Sequence, residues 1–299
     1  MKNKTYLSLC IPTNGIVNWI LPTLEHIYNQ NCDISLFEVI ITDNGKKDDL
    51  ENEIAKLNYP NLKYLRTNDE GFLNQITCLK QANGLFIRML NHRSILLPNT
   101  LNKWIALIKK YQEERPIIYF SDGVFKQSFI ECSNFEDFVK EMSYYSSWSA
   151  GISFWDSDKE KLNIINFDKM FPTTSILFEI RKESQYIIWN EKYQEMQDET
   201  GKGGYNIYKT FAVNYLDILN NLRLNERISI NTFTKIKSEL YNFLQHWYDI
   251  LSSKNNIYTF DTSNMEMYLN VYYSKNEIKN IKKNTLRRMK KIINIIKSK

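Results

Sequence analysis

Apolar runs that each break off into a polar turn, with helical stretches between them, constrain this chain more than any other feature of it. Tyr6-Leu7-Ser8-Leu9-Cys10-Ile11 ends at Pro12-Thr13-Asn14-Gly15, and Phe37-Glu38-Val39-Ile40-Ile41-Thr42 ends at Asp43-Asn44-Gly45. Leu85-Phe86-Ile87-Arg88-Met89-Leu90 ends at Asn91-His92-Arg93. Runs so short and so apolar fit strands buried on both faces. Between them, Ile20, Leu21, Leu24, Ile27 and Tyr28 recur at helical spacing over 16–29, and Asp48 to Leu57 reads as a second helix. Leu62-Lys63-Tyr64-Leu65 is a further strand, and the helix predicted from Asn74 to Ala82 stops at Asn83-Gly84. Strand–helix alternation of this kind predicts an α/β fold built on a Rossmann-like, mostly parallel, doubly wound sheet.

Such sheets bind ligands beyond the carboxyl ends of their strands. Those ends carry Pro12, Thr13, Asn14, Asp43, Asn44, Asn91, His92 and Arg93. Each cluster alone is ordinary turn chemistry; its recurrence after separate strands points to a site. Further on, Leu101 to Tyr111 and Phe135 to Met142 read as helices, and Ile117 to Phe120 as a strand ending in Ser121-Asp122-Gly123. Ser149 to Phe154 is a small-residue strand or turn, Asp156 to Leu162 a short helix, and Thr173 the start of another. Gly201-Lys202-Gly203-Gly204-Tyr205 reads as a flexible, lid-like loop, followed by an amphipathic helix over 206–222. The expected division is 1–215 for the α/β domain and 216–299 for a helical C-terminal extension.

The net charge of +5 hides an asymmetry. Lys275 to Lys299 contains ten Lys and Arg against Glu277 alone, a charge of +9 that leaves −4 on the rest. An acidic body argues against a nucleic-acid-binding core. Ile278, Ile281, Met289, Ile292, Ile293 and Ile296 beside those cations form a basic amphipathic segment, which predicts a membrane-surface helix. Its alternatives are a solvated tail and a helix of an oligomer interface. Cys10, Cys32, Cys78 and Cys132 lack C-x-x-C spacing and read as reduced thiols. No apolar run approaches the ~20 residues of a spanning helix. The expected location is cytoplasmic, at the inner face of the cell membrane.

In order and spacing, several segments together resemble the inverting glycosyltransferase family 2 with the GT-A fold. They are Leu9-Cys10-Ile11-Pro12-Thr13-Asn14, Val39 to Gly45, Asn68-Asp69-Glu70-Gly71-Phe72 through Asn74, Leu79 to Gly84, and Leu96-Leu97-Pro98. Among its members the chain looks most like bacterial polysaccharide-assembly transferases of the abequosyltransferase-like group. The likeness is good over 5–110 and thinner to 215. It implies transfer of a sugar, with inversion, from a nucleotide-sugar donor onto an oligosaccharide or lipid-linked surface glycan, such as a capsule or O-antigen. It also implies that Asp43 bonds the nucleotide base and that Asn74 joins the donor-binding set.

The resemblance places a metal-holding Asp-x-Asp pair after the strand that ends at Leu90, where this chain has Asn91 and Arg93. A guanidinium repels a metal ion but clamps phosphate oxygens. In one reading Arg93, helped by His92, replaces the metal, so that no divalent cation or other cofactor is needed. In the other the catalytic site has decayed, leaving a sugar- or nucleotide-binding partner in glycan assembly. Inverting transfer needs a carboxylate to take the acceptor's proton. The candidates are Asp168, Asp156 and Asp158, with Asp122 placed to touch the acceptor.

Overall fold

A computed structural model describes residues 5–282. The chain forms two compact units that divide between Gln197 and Asp198, ahead of the boundary expected at 215/216.

In the first unit β1 (Leu7–Thr13), α1 (Val17–Tyr28), β2 (Phe37–Asp43), α2 (Asp49–Ile54), β3 (Leu62–Arg66), α3 (Asn74–Lys80) and β4 (Phe86–Met89) follow the alternation read from the sequence. Then come β5 (Ser94–Leu96), α4 (Thr100–Tyr111), β6 (Ile117–Phe120), β7 (Phe129–Cys132), α5 (Phe135–Met142), β8 (Ser153–Trp155), α6 (Pro172–Glu179), β9 (Tyr186–Trp189) and β10 (Gln194–Met196). The central sheet has the order β3-β2-β1-β4-β8. Its first four strands are parallel and β8 is antiparallel to β4. A second sheet, β6-β9-β7, and the long-range antiparallel pair β5–β10 complete the unit.

Side chains alternate across β1 as the pleat requires. Leu7, Leu9 and Ile11 join a core with Ile20, Leu24 and Ile27 of α1 and Leu101, Trp104 and Ile108 of α4. Cys10 faces the other way, its Sγ 3.6 Å from the Cys78 carbonyl of α3. Helices thus cover both faces, the doubly wound arrangement that hydrophobic runs demand.

The direction of β8 matters for everything downstream. Arg88 pairs with Ser153 and Phe86 with Trp155, and the Asp156 N–H donates to the Leu85 carbonyl at 2.9 Å. The segment preceding β8 therefore lies at the carboxyl end of β4, and the segment following it at the amino end. Ser153 Oγ donates to the Ile118 carbonyl and Trp155 Nε1 to that of Pro116, so β6 runs alongside in the direction of β4.

One charged side chain lies inside this core. Arg88 is wholly buried, its guanidinium carbon 3.6 Å from the ring centre of Phe120, 3.9 Å from Trp104 and 4.4 Å from Tyr193. None of its three guanidinium nitrogens has a hydrogen-bond partner among the described residues. Burial pulls its pKa down to about 10, against the opposing pull of Tyr193 and Asp122.

The second unit contains β11 (Gly203–Asn206), then α7 (Ile207–Lys209), which runs through a π-helical stretch, Thr210–Tyr215, into α8 (Leu216–Leu224). After it come α9 (Ile230–Leu251), β12 (Thr259–Asp261) and α10 (Met265–Leu269). The glycine-rich segment expected to be a flexible loop is a strand, because Gly203–Asn206 pairs in parallel with Thr259–Asp261. A Cβ on Gly203 would lie 2.4 Å from the Thr259 backbone, so only glycine admits the pairing. That pairing also commits residues 198–215 to the second unit.

The helix over 275–282 buries Ile278 and Ile281, at 4 % and 0 % exposure. These two side chains, expected on a membrane-facing stripe, belong instead to the core of the unit. The remainder of the basic segment lies outside the described residues. No described helix is long and apolar enough to cross a membrane.

Candidate active site

The carboxyl edge of the sheet assembles as its topology requires. Thr13, Asp43 and Arg66, the last residues of β1, β2 and β3, stand side by side in register. Asp43 is completely buried. Its Oδ1 accepts the Gly45 N–H at 2.7 Å, and its Oδ2 accepts the Tyr64 hydroxyl at 2.9 Å and Arg66 Nη1 at 3.1 Å. Burial, with Asp43 as hydrogen-bond partner, pushes the Tyr64 phenol up to about 12, so it stays a donor. Asp43 therefore spends its charge on its own neighbours and orients Arg66, whose side chain keeps 29 % exposure. A Cβ on Gly45 would fall 2.3 Å from the Asn14 carbonyl oxygen, so glycine is what lets the loops after β1 and β2 touch.

Two asparagines brace this edge. Asn74 is 2 % exposed; its Nδ2 donates to the carbonyls of Thr13 and Thr42, and its Oδ1 accepts the Thr67 hydroxyl. Its amide stitches strand ends together and is spent on architecture. Asn44 Nδ2 donates to the carbonyls of Asp69 and Gly71 and holds the loop after β3. Asn14 is exposed beside them and Pro12 half-buried.

The turn after β4 closes on itself. Asn91 Oδ1 accepts the Arg93 N–H at 2.9 Å, and the Asn91 carbonyl accepts the Ser94 N–H at 3.0 Å. His92 Nδ1 shares a 3.0 Å hydrogen bond with Thr13 Oγ1, and its carbonyl accepts the Thr23 hydroxyl. Burial, with Arg93 adding to it, lowers the His92 pKa to about 3, so the ring is neutral at physiological pH. Trp19 lies between its two neighbours, with the His92 ring 5.0 Å away and the Arg93 guanidinium carbon 3.4 Å from its ring centre. Arg93 is only 6 % exposed. The sequence placed it at the lip as a phosphate clamp; the structure folds it inward, because a flat guanidinium stacks well on an indole face.

The four candidate carboxylates separate cleanly. Asp156 and Asp158 follow β8 and so reach the amino edge of β4, opposite the polar edge, which removes them as catalytic groups. Asp156 pairs with Arg115 at 3.0 Å, and the buried Asp158 is gripped by Arg181 at 2.5 and 3.0 Å and by Lys161 at 2.8 Å. An antiparallel strand of three residues has no sequence signature strong enough to reveal this reversal. Asp122 lies beyond the carboxyl end of β6 in a left-handed conformation, φ 56°. Its Oδ1 accepts the N–H groups of Tyr193 and Gln194, and burial raises its pKa.

Asp168 differs from the rest. Its Oδ1 accepts the N–H groups of Met170 and Phe171 at 2.8 and 2.9 Å, and its own N–H donates to Ser175 Oγ. Its Oδ2 bonds to no described residue, which leaves one oxygen of a fixed carboxylate open. Lys169 pairs with Glu70 at 2.9 Å, next to the loop that Asn44 grips, so Asp168 stands on the same edge as Thr13 and Asp43.

Residues 8–128 match the model of the family described as glycosyl transferase family 2. The chain carries a glycosyltransferase domain. No curated protein matches the chain. Among solved structures, residues 1–349 of S. aureus TarS with UDP-GlcNAc align with a TM-score of 0.63 at 15% identity, covering 84% of this chain and 77% of that one. The same fragment with UDP gives 0.56 at 16%, over 84% and 76%. The mannosyltransferase PcManGT from Pyrobaculum calidifontis, in complex with GDP-Man and Mn2+, gives 0.52 at 11%, over 96% and 81%. Identities this low speak to fold alone, and the fold of the glycosyltransferase domain is GT-A.

A GT-A fold raises the question of a divalent cation, and the residues after β4 do not suit one. Asn91 has already given its side-chain oxygen to a backbone N–H, His92 is bonded to Thr13, and Arg93 brings a fixed positive charge into the turn. Among the described residues no three His, Cys, Asp or Glu side chains group as metal ligands. Three side chains that contact the candidate residues at this edge, Tyr64, Arg66 and Trp19, were not singled out from the sequence. Tyr64 and Arg66 had a usable signal, since they alternate onto one face at the end of a recognised strand. Trp19 had none beyond its place in the first turn of α1.

Proposed function

We propose that the first unit transfers a sugar, with inversion, from a nucleoside diphosphate donor to a glycan acceptor, with Asp168 as general base and without a divalent cation. The observation that carries this reading is the single open oxygen of Asp168, held by two N–H groups on the edge that also presents Thr13, Asp43 and Arg66. In the step envisaged, Asp168 takes the proton of the acceptor hydroxyl as that oxygen attacks the anomeric carbon from the face opposite the diphosphate. The bond from the anomeric carbon to the phosphate oxygen breaks, and the nucleoside diphosphate leaves with its electron pair.

The nucleoside lies against Arg66, and Asp43 is a positioning residue that fixes Arg66 and Tyr64 rather than a direct contact. Arg93 supports the diphosphate through space. Its charge is held in a poorly solvated turn, where an electrostatic interaction is stronger than in water. The resemblance of residues 5–110 to polysaccharide-assembly transferases supports a bacterial surface glycan as acceptor.

The test is a panel of UDP-, GDP-, CDP- and dTDP-sugars, read by thermal stabilisation and by release of free nucleoside diphosphate, with and without EDTA. A true donor at 100 times its Kd adds about 2.7 kcal/mol of stability. Stabilisation by no member of the panel refutes the donor class. Turnover abolished by EDTA and restored by Mn2+ refutes metal independence while sparing the rest, and retention at the anomeric carbon refutes the role of Asp168.

A further inference from the structure

The second unit contains a pocket of about 580 Å³, within the range of ~300–1,000 Å³ typical of small-ligand sites. Its lining combines a buried tyrosine, Tyr208, and a half-buried one, Tyr248, with Leu251 and Met265 as apolar wall. Around the mouth stand the exposed side chains of Ser252, Thr262 and Asn264, none of which hydrogen-bonds to a described residue. Glu266 and Lys282 close the rim as an ion pair and cancel each other's charge.

Two of the walls, the helix that carries Tyr208 and the loop after β12, are tied together at one residue. The Asn206 side chain accepts the Lys209 N–H, starting the helix that carries Tyr208, while its Nδ2 donates to Asp261 Oδ2 and the Ser263 carbonyl. Asp261 in turn accepts the Ser263 N–H at 2.7 Å. This anchored loop presents Thr262 and Asn264, and Asn264 adopts a left-handed φ of 54° that asparagine tolerates at a cost. The anchored loop thus holds an exposed hydroxyl and amide at the pocket mouth, where a ligand can reach them.

We infer that this pocket is a carbohydrate-binding site for a neutral oligosaccharide, separate in its chemistry from the transfer reaction. The half-buried Tyr248 ring offers a flat face for the C–H surface of a sugar, with buried Tyr208 as the floor behind it, and the hydroxyl and amide groups at the mouth match the sugar's hydroxyls. Among the described lining residues the two charged ones, Glu266 and Lys282, pair with each other, so the lining itself does not favour an anionic ligand.

Saturation-transfer NMR on the full chain with chitotriose, mannotriose, cellotriose and maltotriose at millimolar concentration tests it. At least one neutral trisaccharide binds, and Tyr248→Ala and Asn264→Gly each weaken it about tenfold or more, as loss of a stacking face or hydrogen bond does. Asn264→Gly removes the amide at a φ that suits glycine, so the loop survives, and unchanged melting temperature in both variants verifies the fold. Binding by none of the four, binding untouched by both substitutions, or preference for a sulfated trisaccharide overturns the inference. Nucleotide-sugar stabilisation is scored separately, so failure of the transfer reading and failure of this one are distinguishable.

Discussion

Replacing Asp168 with asparagine separates catalysis from folding better than any other change at the polar edge. Asparagine keeps an oxygen where Oδ1 accepts the Met170 and Phe171 N–H groups, and it places an amide where Oδ2 now stands open. The cost to stability is the difference between charge-assisted and neutral hydrogen bonds, about 1 kcal/mol or less for a half-buried group. Loss of a general base costs on the order of 10²–10⁴ in rate, equivalent to about 2.7–5.5 kcal/mol in the barrier. Asp168→Ala also loses both backbone hydrogen bonds and destabilises by about 0.5–2 kcal/mol, as loss of a capping side chain does. Turnover at saturating donor, donor affinity by calorimetry and urea unfolding are measured together on the three proteins. The expected pattern is a collapse of kcat in Asp168→Asn with donor affinity and unfolding midpoint preserved. An Asp168→Asn protein within about threefold of normal kcat refutes the assignment, because general-base loss does not come so small.

Asp158→Asn gives the opposite pattern. Its side chain is 3 % exposed and doubly bonded to Arg181, so breaking the pair costs about 3–5 kcal/mol in urea unfolding while donor affinity holds. Gly45→Ala forces a methyl group against the Asn14 carbonyl. It destabilises by about 1–3 kcal/mol and weakens nucleotide binding, both readable by titration calorimetry and chemical unfolding. The depressed His92 pKa predicts an acid-sensitive fold. The unfolded chain takes up a proton near pH 6.5 that the folded chain refuses until about pH 3, so stability is full above 6.5 and falls through that window. The slope is at most about 1.4 kcal/mol per pH unit, less for a half-buried ring, and His92→Asn flattens it.

The alternation from β1 to β4 was legible because each strand is buried on both faces and each turn carries Gly, Asn or Pro. Thr13, Asp43 and the turn after Leu90 could be placed on one edge from that pattern alone. Orientation at that edge was not legible. Whether Arg93 points out or folds onto Trp19 depends on a contact across 74 residues of chain, and no local pattern encodes it. Likewise Asp156 and Asp158 stay candidates behind Asp168 in the sequence, and only the reversal of β8 sends them to the far edge. Gly201 to Tyr205 read as a loop because the strand partner of Gly203–Asn206, Thr259–Asp261, lies far along the chain. Ile278 and Ile281 fit a lipid-facing stripe as well as a protein-facing one, since helical periodicity names a buried face and not what buries it.

The caged guanidinium of Arg88 has a bearing on how far this protein's heat tolerance can be raised. A buried cation without a hydrogen-bonding partner loses several kcal/mol in desolvation, and three aromatic faces return ~0.5–2 kcal/mol each. A sequence refined for folding alone would carry methionine or leucine there, and exchanges of buried ions for apolar side chains often stabilise by about 1–4 kcal/mol. Arg88→Met should therefore melt at a higher temperature than the natural chain, with its β4 turn left over a neutral core. If turnover falls as melting temperature rises, the chain has kept an expensive charge beneath its working edge at the expense of its own durability; a lower melting temperature would instead mark the cage as a net stabiliser.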